Sequence, residues 1–408
     1  MTRANTATRR FDNADDAVSV ILERGGEHVI CATPLGLGKP VALLNALYRR
    51  IREDRHRKLT IVTALSLAVP SAGSELERRF LAPFARRMFE GVPALDYLAD
   101  LSRQQVPANI EILEFYFRPG SMLSNPAAQQ NYISANYTHV ARDVVDLGCN
   151  AVLVMVSERE GRYSLSCNPD LAFDVVRMVR ERGETMTVVA LVNRQLPFMS
   201  NDAEVGPEFF DVIVDAPEFE TRLFSVPNSP AVPADHAVGL YAASLVKDGG
   251  TLQLGIGSLG DAVAHWLRAR HMHPEDVSRI ADALGLHRYR GLIDTQGGVE
   301  GFERGLFAAS EMFTWSLMEL YRSGVLKRRV YENALLQDAL NRGIIEETFG
   351  SDVLTKLHAG GVISDPLQAR DIEWLAYFGI LGQPVPVGTG IRDVPSSALG
   401  RELQRGQV

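Results

Sequence analysis

Two short stretches of this chain carry residue types that can do chemistry. The first runs Gly249-Gly250-Thr251-Leu252-Gln253-Leu254-Gly255-Ile256-Gly257-Ser258-Leu259-Gly260. Its pattern predicts a strand over Thr251–Leu254, a glycine loop over Gly255–Gly260 and a helix over Leu259–Ala269. Glycine permits positive φ and close backbone approach, and a helix N-terminus offers unpaired N–H groups at the positive end of its dipole. Such a place suits a phosphate, a carboxylate or a developing oxyanion. It serves equally as a tight strand-to-helix turn with no ligand. The second stretch holds Glu311, where a short strand at Leu306–Ala308 gives way to an amphipathic helix carrying Leu317, Leu320 and Tyr321. A carboxylate in apolar company loses water and gains basicity and nucleophilicity. A glutamate in a first helical turn also favours the helix dipole, so the residue taken alone leaves both roles open.

Other patterns are weaker. Gly255, Gly257 and Gly260 satisfy the dinucleotide fingerprint, but the second strand that should carry an acid about 20 residues on is replaced by a helical stretch over 271–284. A nicotinamide-dependent oxidoreductase is therefore the lesser reading. Gly36, Gly38 and Lys39 hint at a phosphate loop, yet Thr33 stands at its first glycine and Pro40 at its magnesium ligand. That excludes a nucleotide hydrolase and leaves two options for Lys39, a contact to an anion or simply a helix start with proline in its first turn. His271 and His273 lack nearby companions for zinc, so no metal is expected.

These residues must be held by surrounding elements, and the composition suits a packed core: 408 residues, 46% hydrophobic and 23% charged. The length suggests two to three domains. A net charge of −8 gives no basic footprint for nucleic acid. Three cysteines suit a reducing, cytoplasmic compartment, and no apolar run approaches the span of a bilayer. Apolar runs at Glu27–Cys31, Leu59–Leu65, Ile110–Phe117, Ala151–Val156 and Thr187–Val192 alternate with helical stretches at Asp15–Glu23, Val41–Ile51, Ser74–Met88, 127–147 and 170–182. Such alternation predicts an α/β fold with a mostly parallel sheet covered on both faces. Residues 1–12 read as a flexible tail, 13–216 as an N-terminal α/β domain, and 217–233, with four prolines, as a linker. Residues 234–408 read as a second α/β domain with an insertion near 271–304.

The stretches "DGGTLQLGIGSLGDAV" (248–263), "SEMF" (310–313) and "GVL" (324–326) together resemble the acetyl-CoA hydrolase/transferase family, which is similar to the class I CoA-transferases and includes 4-hydroxybutyrate CoA-transferase. "TPLGLGKPVALLNALY" (33–48), "FDVIVDAPE" (210–218) and "HAVGLYAASLVKDG" (236–249) extend the resemblance, which covers about residues 27–330. It implies two open, mostly parallel-sheet domains; 97 residues follow Glu311 and the last 50 do not match, so the second is expected to be either incomplete or divergent. It implies Glu311 as the catalytic carboxylate, forming a glutamyl-CoA thioester. Gly255, Ile256 and Gly257 would serve the oxyanion or coenzyme A, and Gly36, Gly38, Lys39 and Asn136 would belong to a substrate loop. Substrates would be an acyl-CoA and a carboxylate, or water for hydrolysis, in a homodimer with no nucleic acid or membrane partner. A catalytically inactive, CoA-binding relative is the alternative. One departure is visible: Ala308-Ala309-Ser310 precedes Glu311 where relatives often carry histidine. Tyr132, Asn136 and Tyr137 are expected either on an inter-domain cleft or on a helix surface, and Phe115, Tyr116 and Phe313 among the residues that shape a pocket.

Overall fold

The computed structural model describes residues 7–70, 72–224, 229–310, 313–331, 333–381, 385–387 and 390–392. The first half is a repeating strand–helix chain: β1 (Arg9–Phe11), α1 (Ala14–Gly25), β2 (His28–Ala32), α2 (Val41–Glu53), β3 (Lys58–Thr63), α3 (Glu75–Phe89), α4 (Asp96–Ser102) and β4 (Ile110–Glu114). It continues through α5 (Pro126–Gln130), α6 (Tyr137–Asp146), β5 (Ala151–Arg159), β6 (Arg162–Ser164), α7 (Ala172–Glu181), β7 (Thr187–Val192), β8 (Glu204–Val205) and β9 (Val212–Val214). The sheet order is β1-β9-β7-β5-β2-β3-β4, and every pair along it is parallel. Strands β6 and β8 add an antiparallel ladder beyond β5. Arg9–Phe11, expected within the flexible tail, instead pair with β9 and extend the sheet edge.

The sheet separates two cores. Alternate side chains of one strand enter opposite faces: Leu153 and Met155 pack with Ile21, Leu44 and Leu47, while Val152, Val154 and Val156 pack with Val144 and Val176. The helices begin where local chemistry starts them. Asn13 accepts the Asp16 N–H at 2.9 Å to cap α1, and Ser74 caps α3 through the Glu77 N–H at 3.2 Å.

The second half comprises α8 (Pro233–Ser244), β10 (Thr251–Gln253), α9 (Ser258–Met272), α10 (Pro274–Ala283), α11 (Arg290–Gln296), β11 (Phe307–Ala309) and α12 (Trp315–Arg322). β10 and β11 form a two-stranded parallel sheet. The segment 271–304 packs as α10 and α11, its Val277, Ala281 and Ile293 closing over Leu240 of α8. Helices α13 (Ala334–Asn341), α14 (Val353–Ala359) and α15 (Ala369–Tyr377) enclose a separate core of Leu336, Val353, Leu357 and Leu375. Residues 225–228 of the proline-rich stretch lie outside the described residues. No helix among the described residues is long and apolar enough to cross a membrane.

Candidate functional site

In the first half, strand order reverses direction between β2 and β5, and open α/β sheets hold ligands outside the carboxyl ends of the strands at such a switch. The turn over 33–40 leaves β2 at that point. Gly36 adopts φ +58°, and a Cβ on Gly38 would lie 2.0 Å from the Asn168 carbonyl oxygen, so both positions require glycine. The turn is laced down by side chains. The Leu35 N–H donates to the Asp170 carboxylate, the Leu37 N–H donates to Asn168 Oδ1 at 2.9 Å, and Asn168 Nδ2 donates to Asp170 Oδ1 at 3.0 Å. Tyr137 donates its hydroxyl to the same carboxylate at 3.0 Å.

Lys39 does not lie along this turn with its N–H groups. Its side chain is turned inward and buried, donating to the Ala64 carbonyl at 3.1 Å and to the Tyr97 hydroxyl at 3.4 Å. Tyr97 meets Ser66 Oγ at 2.6 Å, and Ser66 donates both its hydroxyl (2.5 Å) and its N–H (3.1 Å) to Glu114 Oε1. Ser66 follows Leu65, a non-glycine residue held at φ +46°. A hydrogen-bonded chain thus runs from the ammonium of Lys39 to the carboxylate that closes β4. Glu114 is 1% exposed and its Oε2 has no hydrogen-bond partner. Burial raises the Glu114 carboxyl above its ordinary range, against the opposing pull of Lys39 and Ser66. Burial lowers Lys39 to about 8 despite the attraction of Glu114 and Asp170.

The aromatic stretch near 132–137 divides. Asn136 is an exposed cap of α6, accepting the Thr138 N–H at 3.1 Å. Tyr132 leans on Phe117 with centroids 5.5 Å apart, Tyr116 is exposed, and Phe115 meets Tyr137 edge-on at 6.5 Å. Of these, Tyr137 is hydrogen-bonded to the brace of the turn after β2, through Asp170.

In the second half, β10 and β11 run parallel with Gln253 opposite Ala309. Both strands therefore end at one edge, and there Ser310 Oγ donates to the Leu254 carbonyl at 3.4 Å. The loop Gly255-Ile256-Gly257 is exposed, and Gly257 at φ +131° is the N-cap of α9. The first bond of α9 runs from the Asp261 N–H to the Gly257 carbonyl at 3.0 Å, which leaves the N–H groups of Ser258, Leu259 and Gly260 ahead of the ladder. Gly260 sits inside the first turn of α9 rather than in the loop, and a Cβ there would lie 2.2 Å from the Gly255 carbonyl oxygen. Ser316 of α12 donates to the Asp261 carboxylate and ties the two helices at this edge. Phe313 is exposed nearby in sequence. Glu311 lies outside the described residues. His271 accepts the Phe302 N–H at 3.1 Å, a structural role. α9 is followed by α10 and not by a strand, so the dinucleotide fingerprint lacks its second strand among the described residues.

No protein-family model matches the chain. Over 183 residues it is 27% identical to the 4-hydroxybutyrate coenzyme A transferase of Clostridium kluyveri, covering 45% of this chain and 33% of that one. Over 205 residues it is 25% identical to the succinyl-CoA:cyclohexane-1-carboxylate CoA transferase of Geobacter metallireducens, covering 48% of this chain and 43% of that one. The chain is similar to CoA-transferases. The matched segments span less than half the length of those relatives. The crystal structure of RipA from Yersinia pestis superposes with a TM-score of 0.50 at 19% identity, over 78% of this chain and 59% of that one, which is a likeness of fold.

The hydrogen-bonded chain from Lys39 to Glu114 and the Asn168–Asp170 brace were not visible in the sequence. The available signals were an acid closing the strand "IEILE" (110–114) and the pair Asn168 and Asp170 after an apolar strand.

Proposed function

We propose that the chain transfers coenzyme A between an acyl-CoA and a carboxylic acid, with Glu311 as nucleophile and the loop Gly255-Ile256-Gly257 serving the oxyanion. The observation that carries this reading is the parallel register of β10 and β11. It ends the glycine loop and Ser310, the residue before Glu311, at one edge, joined from Ser310 Oγ to the Leu254 carbonyl. The similarity to two CoA-transferases supports it.

The Glu311 carboxylate attacks the thioester carbonyl, the C–S bond breaks, and an acyl-glutamyl anhydride and CoA thiolate result. The thiolate attacks the glutamyl carbonyl and expels the first carboxylate, leaving a glutamyl-CoA thioester. An acceptor carboxylate reverses both steps and leaves as the new acyl-CoA; water in its place gives hydrolysis. Each tetrahedral species carries an oxyanion, and a donor to such an oxygen is worth roughly 10²–10³ in rate. The N–H groups of Ser258, Leu259 and Gly260, ahead of the α9 ladder, add a positive end to the same edge. We take the working form to be a homodimer, as the resemblance implies, in the reducing cytoplasm that the three cysteines suit.

Exchange of labelled acetate into acetyl-CoA, or its conversion to labelled acetyl-CoA by succinyl-CoA with release of succinate, tests the assignment. Glu311→Gln is expected to lose roughly three or more orders of magnitude while keeping its cooperative melt. Exchange within a few-fold of wild type in that variant would overturn it.

A further inference from the structure

A basic groove lies at the amino ends of β10 and β11, the opposite end of that small sheet from Gly255 and Ser310. It encloses about 710 Å³, far more than one phosphate fills and within the range of ligand pockets. One wall is the approach to β11 together with residues 327–329. The other is the end of α13 and the turn after it, with Leu340 and Ile345 in the lining. The walls belong to different cores: Leu306, Leu320 and Val325 pack in one, Leu336, Ala339 and Ile345 in the other.

Backbone contacts fix the first wall. The Asp248 carboxylate accepts the N–H groups of Glu303 (3.1 Å), Arg304 (2.9 Å) and Gly305 (2.9 Å). The Leu306 N–H donates to the Val325 carbonyl at 2.7 Å, and the Arg328 N–H to the Leu306 carbonyl at 3.2 Å. Gly305, at φ +81°, lets the two segments touch, since a Cβ there would lie 2.3 Å from Lys327 Cγ. Arg304, Lys327 and Arg328 are thus carried on neighbouring, braced backbone, which lowers the ordering cost of a ligand that meets all three.

The charges are unequally matched. Five cations and three carboxylates line the groove of a chain whose net charge is −8. Arg329 has Glu347 at 3.9 Å, and Arg342 has Asp338 at 3.1 Å. Arg304, Lys327 and Arg328 form no ion pair among the described residues. Arg328 donates instead to neutral oxygens, Thr251 Oγ1 at 3.4 Å and Asn341 Oδ1 at 3.0 Å. Guanidinium forks match phosphate oxygens in pairs, and an ammonium adds a point charge. Three such groups along one wall fit a run of phosphates rather than a single one.

We propose that this groove binds a polyphosphate chain with a free terminal phosphate, borne by a nucleotide or present as inorganic polyphosphate, and that the bound chain fastens α13 to the β10–β11 unit. No covalent bond changes. The site uses neither Glu311 nor the loop Gly255-Ile256-Gly257, so Glu311→Gln is expected to bind as wild type does. That separates a failure here from a failure of the proposed transfer reaction.

Calorimetric titration of the full chain with tripolyphosphate, ATP, orthophosphate and coenzyme A at one ionic strength tests it. The expected result is saturable binding of tripolyphosphate, with orthophosphate and coenzyme A, whose diphosphate is esterified at both ends, at least roughly tenfold weaker. ATP tighter than tripolyphosphate assigns the site to nucleotides; the reverse order assigns it to the free chain. Arg304→Glu combined with Lys327→Glu is expected to lose roughly tenfold or more with its melt intact. Arg279→Glu, on the exposed face of α10, is expected to bind as wild type does. Glu346 lines the groove, and Glu346→Gln is expected to tighten binding roughly twofold or more. Bound tripolyphosphate is expected to slow amide exchange in α13. The proposal is overturned if folded wild type binds no tripolyphosphate, if coenzyme A binds as well or better, or if the double variant binds as wild type does.

Discussion

Ser310 and Leu254 meet at the same edge of two parallel strands, the Ser310 hydroxyl donating to the Leu254 carbonyl at 3.4 Å. One residue beyond each partner stand Glu311 and Gly255. In the sequence, the proposed nucleophile and the proposed oxyanion loop each follow directly on one partner of this bond.

Gly255 and Gly260 respond differently to alanine. A Cβ at Gly255 meets nothing within 4 Å among the described residues, whereas one at Gly260 lies 2.2 Å from the Gly255 carbonyl. Gly260→Ala is expected to destabilise the chain by about 1–3 kcal/mol, because overpacking against backbone has no cheap relief. Gly255→Ala is expected to leave the urea midpoint unchanged and to lower acyl-CoA turnover, since its methyl crowds the approach to the loop. Equal stability losses in the two variants would contradict the geometry.

Gly38→Ala pushes a methyl to 2.0 Å from the Asn168 carbonyl and breaks the brace of the turn after β2. The expected cost is about 1–3 kcal/mol, read as a shift of the urea midpoint at constant slope. Asn168→Ala, which takes the acceptor from the Leu37 N–H and one of the donors from Asp170 Oδ1, is expected to cost a similar amount.

Lys39 gives stability a pH dependence whose sign can be worked out. Its native value of about 8 lies below its ordinary 10.5, so between these values the unfolded chain binds more protons. Stability from this group therefore rises with pH across that window, by about 3 kcal/mol in total. Urea unfolding from pH 7.5 to 10 is expected to show a more positive slope in wild type than in Lys39→Met. Glu114 works in the opposite direction: its raised carboxyl means stability falls as pH climbs from 4.5. Glu114→Gln is expected to flatten that fall.

Arg270 tests how the 271–304 segment is joined to α8. It is 2% exposed and donates to the carbonyls of Glu300 (2.6 Å), Ala243 (2.9 Å) and Val246 (2.6 Å). Arg270→Met removes a charged donor from three carbonyls and is expected to cost about 2–4 kcal/mol, with faster amide exchange in α10 and α11. A change confined to α9 would count against the connection.

Legibility in the sequence followed the locality of the forces. Thr187–Val192 was readable to the residue because a strand buried on both faces is apolar at every position. Asp15–Glu23 and Ser74–Met88 were readable as helices, and their starts are fixed locally, since the caps Asn13 and Ser74 act within three residues. The partnership of Lys39 with Glu114 was hidden because 75 positions separate them and the intermediaries are an ordinary serine and tyrosine. Arg9–Phe11 carried too much charge to look like a strand, yet an edge position tolerates it. Helices α13 and α14, at eight and seven residues, were too short to show a period and are held by their shared core. The glycine loop was legible as a strand-to-helix turn, but only the register of β11 shows which downstream residues end beside it.

Intact-protein mass spectrometry after mixing with acetyl-CoA or succinyl-CoA tests the central claim most directly. The glutamyl-thioester route predicts a covalent adduct of coenzyme A mass, with loss of one water, on wild type and none on Glu311→Gln. Peptide mapping is expected to locate it at Glu311. A folded wild type that turns over acyl-CoA without such an adduct, or an adduct that persists in Glu311→Gln, would contradict the account.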